Sequence, residues 1–109
     1  MKRYDSTEFI NGWIVGNFLP SIHHNENFEI AVKRYNQGDT EGRHFQLRAT
    51  EITFVVSGKI RMNNEVLVEN QIIELQPLEE FEFEALEKSV VVCIKYPSLP
   101  EDKVISTIR

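Results

Sequence analysis

Cysteine is nearly absent from this chain of 109 residues, and Cys93 stands alone. One thiol excludes an internal disulfide and any zinc site built on several cysteines. Its setting, Val90-Val91-Val92-Cys93-Ile94, reads as that of a small buried apolar residue. A reducing compartment, the cytoplasm, is the expected location. An excess of positive charge is also missing. Twelve basic residues against 17 acidic ones leave a formal net charge of −5, so nucleic acid, which is bound through basic stripes, is not an expected partner. No apolar run approaches the roughly 20 residues of a membrane-spanning helix. Met1-Lys2-Arg3-Tyr4-Asp5 has a basic start with no apolar segment behind it, so neither a membrane partner nor a signal peptide is expected. No segment keeps a helical period over three turns. Phosphate loops between strand and helix and nucleophile elbows are missing as well.

What the chain does contain is a series of short β-prone runs separated by turn residues. The first is Gly12 to Phe18, closed by Pro20. Phe28 to Tyr35 follows and ends at Asn36-Gln37-Gly38-Asp39, a strong turn cluster. His44 to Arg48 and Glu51 to Val56 come next, the latter ended by Ser57-Gly58. Lys59 to Met62 and Glu65 to Val68 flank Asn63-Asn64, a hairpin turn. Ile72 to Leu75 is broken by Pro77, Phe81 to Ala85 alternates with period two, and Val90 to Tyr96 is the last long strand. Residues 101–109 read as one frayed helical turn or a tail. Eight or more short strands at this spacing predict one all-β domain over 1–109, a two-sheet jelly-roll barrel with little or no helix.

One stretch carries more than strand propensity. Residues 38–58 can be written Gly38-x5-His44-x-Gln46-x4-Glu51-x6-Gly58. Residues two apart on a strand share a face, so His44 and Gln46 are expected to point into the barrel together. A loop through Arg48-Ala49-Thr50 lets the next strand bring Glu51 beside them, and Gly58 suits the tight turn that follows. This pattern resembles the first motif of the cupins, which places a glycine, an H-x-H pair, a glutamate and a final glycine at these intervals. Asn70 to Pro77 resembles the second cupin motif, with Asn70 in place of the usual glycine, and Val92 to Ser98 resembles the closing strand. The resemblance covers about 28–98 and implies a double-stranded β-helix. The chain is similar in particular to small RmlC-like cupins with a Gly-Trp N-terminal strand.

Metal-binding cupins take two histidines and a glutamate from the first motif and a third histidine from the second. Here His44 and Glu51 match, Gln46 replaces the second histidine, and the fourth position falls on Phe81 or Glu82. Phe81 fits better, because Phe81 and Phe83 then share the inner face while Glu82 and Glu84 face water. The resemblance therefore implies a degraded site at His44, Gln46 and Glu51, holding a divalent iron, manganese, nickel or zinc ion weakly, since an amide oxygen is a poor ligand. Without metal, the same residues form a hydrogen-bonded polar patch in which His44 and Glu51 pair directly.

Lys33, Tyr35, Arg48 and Lys95 lie on or beside strands expected to line the barrel. Cations there suit an anionic or sugar-like ligand, and the expected ligand-binding set is Lys33, Tyr35, His44, Gln46, Arg48, Glu51 and Phe81. Arg48 is expected at the rim. His23-His24, flanked by Ser21 and Asn25, reads as an exposed loop. Trp13 reads as a core residue or as the anchor of a dimer contact through the N-terminal strand, since small cupins form homodimers. Function follows from sites and not from fold. The first expectation is a barrel that binds a small polar or anionic molecule. The alternatives are an enzyme, either a metal-dependent oxygenase or isomerase or a metal-free sugar epimerase using His44 and Glu51, and a dimeric interaction module.

Overall fold

The computed structural model describes residues 1–106. A single turn of 3-10 helix, Ser6–Glu8, precedes ten strands. These are β1 (Trp13–Val15), β2 (Glu29–Tyr35), β3 (Thr40–Gln46), β4 (Thr50–Ser57), β5 (Lys59–Met62), β6 (Glu65–Val68), β7 (Ile72–Leu75), β8 (Phe81–Ala85), β9 (Ser89–Tyr96) and β10 (Lys103–Ile105). They form two antiparallel sheets in the orders β1-β2-β9-β4-β7 and β10-β3-β8-β5-β6. The chain crosses from one sheet to the other several times, which makes the double-stranded β-helix. No helix among the described residues is long and apolar enough to cross a membrane.

Turn chemistry places the strand boundaries. Asn63 and Asn70 take the left-handed backbone, at φ 55° and 73°, where asparagine is tolerated and β-branched residues are not. Gly58 sits at φ 92°, and a Cβ added there would lie 2.3 Å from the Ser89 Oγ and 2.4 Å from the Lys88 carbonyl oxygen. Ser89 is buried behind that turn, where its hydroxyl accepts from the Lys59 N–H at 3.1 Å.

Three expectations are corrected. The first strand is shorter than Gly12 to Phe18. β3 starts at Thr40 and ends at Gln46, so Leu47 and Arg48 belong to the turn. The C-terminal segment is neither helical nor a free tail, because Lys103, Val104 and Ile105 pair with Gln46, Phe45 and His44 at the edge of β3. The last part of that segment, 107–109, lies outside the described residues.

The apolar core is Val55, Ile60, Met62, Leu67, Leu75, Phe81, Phe83, Ala85 and Val91. All nine come from β4 to β9. The half of the barrel bounded by β1, β2, β3 and β10 supplies none of them, and that half holds the polar site.

Candidate functional site

The inner face of the first sheet carries its charge in register. Glu29 on β2 stands opposite Lys95 on β9, which stands opposite Glu51 on β4. The next row inward is Ala31, Cys93 and Thr53, and the next is Lys33, Val91 and Val55. Trp13 pairs with Ala31 from the edge strand, so its ring lies over this face. The Lys33 and Lys95 ammonium groups approach the ring, at 5.2 and 5.0 Å from its centroid, a cation–π arrangement. Each lysine is also tied to a carboxylate. Lys33 Nζ is 3.7 Å from Glu41, and Lys95 Nζ is 4.0 Å from Glu29, whose other oxygen accepts from the Ser98 hydroxyl at 2.7 Å.

The facing sheet contributes Glu41, His44 and Gln46 through a β-bulge. Between Glu41 and His44, β3 advances three residues while β8 advances two, from Phe83 to Phe81. In a regular strand, residues three apart face opposite ways; the extra residue turns both inward. Tyr35 donates to Glu41 at 2.7 Å. Burial alone would raise the Glu41 carboxyl, but Lys33, the Tyr35 hydroxyl and Lys103 together hold it below its ordinary range. Burial and the nearby Glu41 push the Tyr35 hydroxyl far up, so it stays protonated and donates.

His44 and Gln46 are both buried, as the strand period predicts. His44 does not pair with Glu51. Its Nδ1 sits 2.7 Å from the Gly42 carbonyl oxygen, to which it donates, and its ring lies 4.2 Å from that of Phe81. Burial lowers its pKa and favours the neutral ring. Glu51 instead accepts from Gln46 Nε2 at 3.4 Å and from the Thr53 hydroxyl at 3.5 Å. That contact sets the Gln46 amide with its nitrogen toward the carboxylate. The opposite atom, Gln46 Oε1, is buried without a hydrogen-bond partner.

These residues do not fit a transition metal. Gln46 offers a neutral amide, an apolar Phe81 fills the fourth position, and Lys95 stands across the strand from Glu51. Among the described residues no three acidic, imidazole or thiol groups converge. The barrel interior itself is nearly full. A cavity of about 20 Å³ remains between Tyr35, Glu51, Thr53, Met62, Phe81 and Cys93, room for one water molecule. Burial raises the Cys93 thiol, which is therefore inert.

An open cavity lies at the end of the barrel. A cavity of about 370 Å³ is walled by Ile10, Trp13, Phe18, Leu19, Pro97 and Leu99, and it reaches Gln46, Lys95 and Lys103. Asp102 shapes it. Its buried carboxylate accepts from the Arg48 and Ala49 amides at 3.1 and 2.9 Å, fixing the turn between β3 and β4.

Lys33, Tyr35, His44, Gln46, Glu51, Phe81 and Lys95 therefore face inward. Arg48 does not: its side chain is 73% exposed and its Nε lies 3.8 Å from Asp102. Trp13 faces this end of the barrel and not the outside of the sheet. His23 and His24 are exposed. Sequence reasoning missed Glu29, Glu41, Asp102 and Lys103. Gly42, an isolated glycine inside a strand, was the one signal of the bulge that turns Glu41 inward.

No protein-family model matches the chain, and no curated protein matches it significantly. Solved structures do. The chain has the fold of the RmlC-like cupins. An uncharacterised conserved protein with a double-stranded β-helix domain from Klebsiella pneumoniae matches over 98% of this chain and 86% of its own, at 15% identity and a TM-score of 0.73. KdgF from Halomonas sp. matches over 70% and 75%, at 20% identity and 0.62. An RmlC-like cupin from Shewanella frigidimarina matches over 72% of each chain, at 17% and 0.63.

Proposed function

We propose that this barrel binds a small polar or anionic organic molecule in the cavity at its open end, between Trp13, Gln46 and Lys95. The observation that carries this reading is Gln46 Oε1, a buried acceptor with no partner that belongs to a residue lining the cavity. Leaving such an atom unpaired costs about 1–3 kcal/mol, and a ligand donor supplies the missing hydrogen bond. The walls fit the general pattern of ligand sites, a mainly apolar cleft with a few placed polar groups. The test is a screen of small acids, alcohols and amides by two-dimensional NMR. Bound compounds should move the Trp13 indole, the Gln46 side-chain amide and the Ala49 amide together. Shifts confined to the outer strands, or no binding at millimolar concentration, would overturn the reading.

We also propose that the chain works as a homodimer through the outer face of the first sheet. Two rows cross that face, Ile30-Ile94-Ile52-Glu74 and Val32-Val92-Phe54-Ile72. Seven of the eight residues are apolar, where an antiparallel sheet facing water normally presents polar ones. Contiguous apolar surface of this kind marks an association site.

A further inference from the structure

We infer that the chain carries a second binding site, separate from the cavity above, for a neutral polyol recognised through a vicinal diol. This goes beyond the cavity reading and does not depend on it. Behind it stands a half-engaged ion pair, Lys33 with Glu41, at the edge of another recess.

That recess has a volume of about 600 Å³. Ser6 and Asn11, ahead of β1, wall it together with Lys33 and Tyr35 from β2 and Glu41 from β3, and Trp13 is a wall common to both spaces. Lys33 and Tyr35 share the inner face of β2, and the bulge in β3 turns Glu41 toward them. Glu41 Oε2 takes the Tyr35 hydroxyl at 2.7 Å and the Lys33 ammonium at 3.7 Å. The second contact is an ion pair, too long for a hydrogen bond. Among the described residues no hydrogen bond reaches Glu41 Oε1, and Lys33 Nζ makes none. The Lys33 and Glu41 side chains are 24% and 27% exposed, so a solute can reach them. The pair thus presents a charged acceptor beside a charged donor, each with unused capacity.

Charge selects the class of ligand. Against the effect of burial, Lys33, the Tyr35 hydroxyl and Lys103 hold the Glu41 carboxyl below its ordinary range, so it is ionised at neutral pH. An anion would be repelled by that carboxylate, and a cation by the two ammonium groups. A neutral ligand meets neither penalty, but it must offer a donor to Glu41 beside an acceptor for Lys33. One hydroxyl of a vicinal diol supplies the first and its neighbour the second, and both hydrogen bonds are charge-assisted. Trp13 gives the carbon skeleton an apolar wall to pack on, and further hydroxyls fall to Ser6 and Asn11.

The probes are cis-1,2-cyclohexanediol and cyclohexanol, titrated into the full chain at neutral pH and followed by two-dimensional NMR. The diol should move the Asn11 side-chain amide together with the Trp13 indole N–H and leave the Ala49 amide in place. It should bind about tenfold more tightly than the mono-alcohol, the usual worth of a hydrogen bond to a charged group. Glu41→Gln and Lys33→Gln, made separately, should each bring the diol down to the level of the alcohol, and either variant carries the test where the other does not fold. Equal affinities, a diol preference that survives these substitutions, or no diol binding at hundreds of millimolar would overturn the inference. Diol shifts at Ala49 without Asn11 would also overturn it, while the cavity reading would stand.

Discussion

The two faces of the β1-β2-β9-β4-β7 sheet do not divide polar from apolar in the usual way: the inner one mixes charge with the core residues Val55, Leu75 and Val91, and the outer one is mainly apolar. Its inner face carries Glu29, Lys33, Tyr35, Glu51 and Lys95, while its outer face carries Ile30, Val32, Ile52, Phe54, Val92 and Ile94. Charge placed inside costs desolvation, and here each group is compensated: Lys33 by Glu41, Lys95 by Glu29, Glu51 by Gln46 and Thr53. Apolar side chains left outside cost solubility unless something covers them. An inner face built at such expense reads as a binding surface, and an outer face so apolar as an interface.

The largest effect should come from reversing the outer face. Val92→Glu with Phe54→Glu places two carboxylates in the middle of the apolar rows. The wild-type chain is expected to have a dimer mass by light scattering at tens of micromolar, and the double variant a monomer mass with unchanged β-type circular dichroism. A monomeric wild type would show that the outer face has another use.

Next in size is the clamp that holds the inner array in place. Asp102→Ala leaves the Arg48 and Ala49 amides without their buried acceptor. It should cost about 2–3 kcal/mol in urea unfolding. Arg48→Ala removes only an exposed partner of that carboxylate, so a change of no more than about 0.5 kcal/mol is expected. The contrast between the two variants separates a structural clamp from a ligand-gripping arginine.

Gln46→Leu should change stability by less than about 1 kcal/mol in the same experiment. It deletes an unsatisfied acceptor, which stabilises, and the long 3.4 Å contact to the buried Glu51 carboxylate, which costs; the Thr53 hydroxyl stays on that carboxylate, so the two changes largely offset. A large loss would mean that the Gln46 amide is part of the structure and not held for a ligand.

The smallest effect is a pH slope. His44 has its pKa lowered by burial from the ordinary 6.5. The unfolded chain therefore binds the proton first, and stability should fall as pH drops from about 6.5 through the lower folded value. His44→Gln should flatten that segment of the curve. Glu41, also lowered, adds a separate loss at more acid pH, below the ordinary carboxylate range. A curve unchanged by His44→Gln would place the titration elsewhere.

Much of the fold was legible because strands announce themselves locally. Alternation in Phe81 to Ala85, the asparagines at the Asn63 and Asn70 turns, and Gly58 pressed against Ser89 are each readable from a few neighbouring residues. The inward placement of His44, Gln46 and Phe81 followed from period two in the same way. The direct His44–Glu51 pair did not form, because the Gly42 carbonyl exposed by the bulge lies closer to hand. The strand expected to run to Arg48 stops at Gln46, because the turn that follows is held by Asp102, a residue more than fifty positions away in the chain.

By itself, then, the amino-acid order determined an all-β barrel, its turns, and which residues of the central motif share a face, since these depend on backbone preference and a strand period of two. Tertiary structure alone decided that Trp13 lies against Lys33 and Lys95, that Glu41 turns inward, that β10 closes the edge of β3, and that the open cavity is at the end of the barrel. Each of these depends on long-range pairing and on how much volume Phe81, Phe83 and Met62 fill inside, quantities that no local pattern encodes.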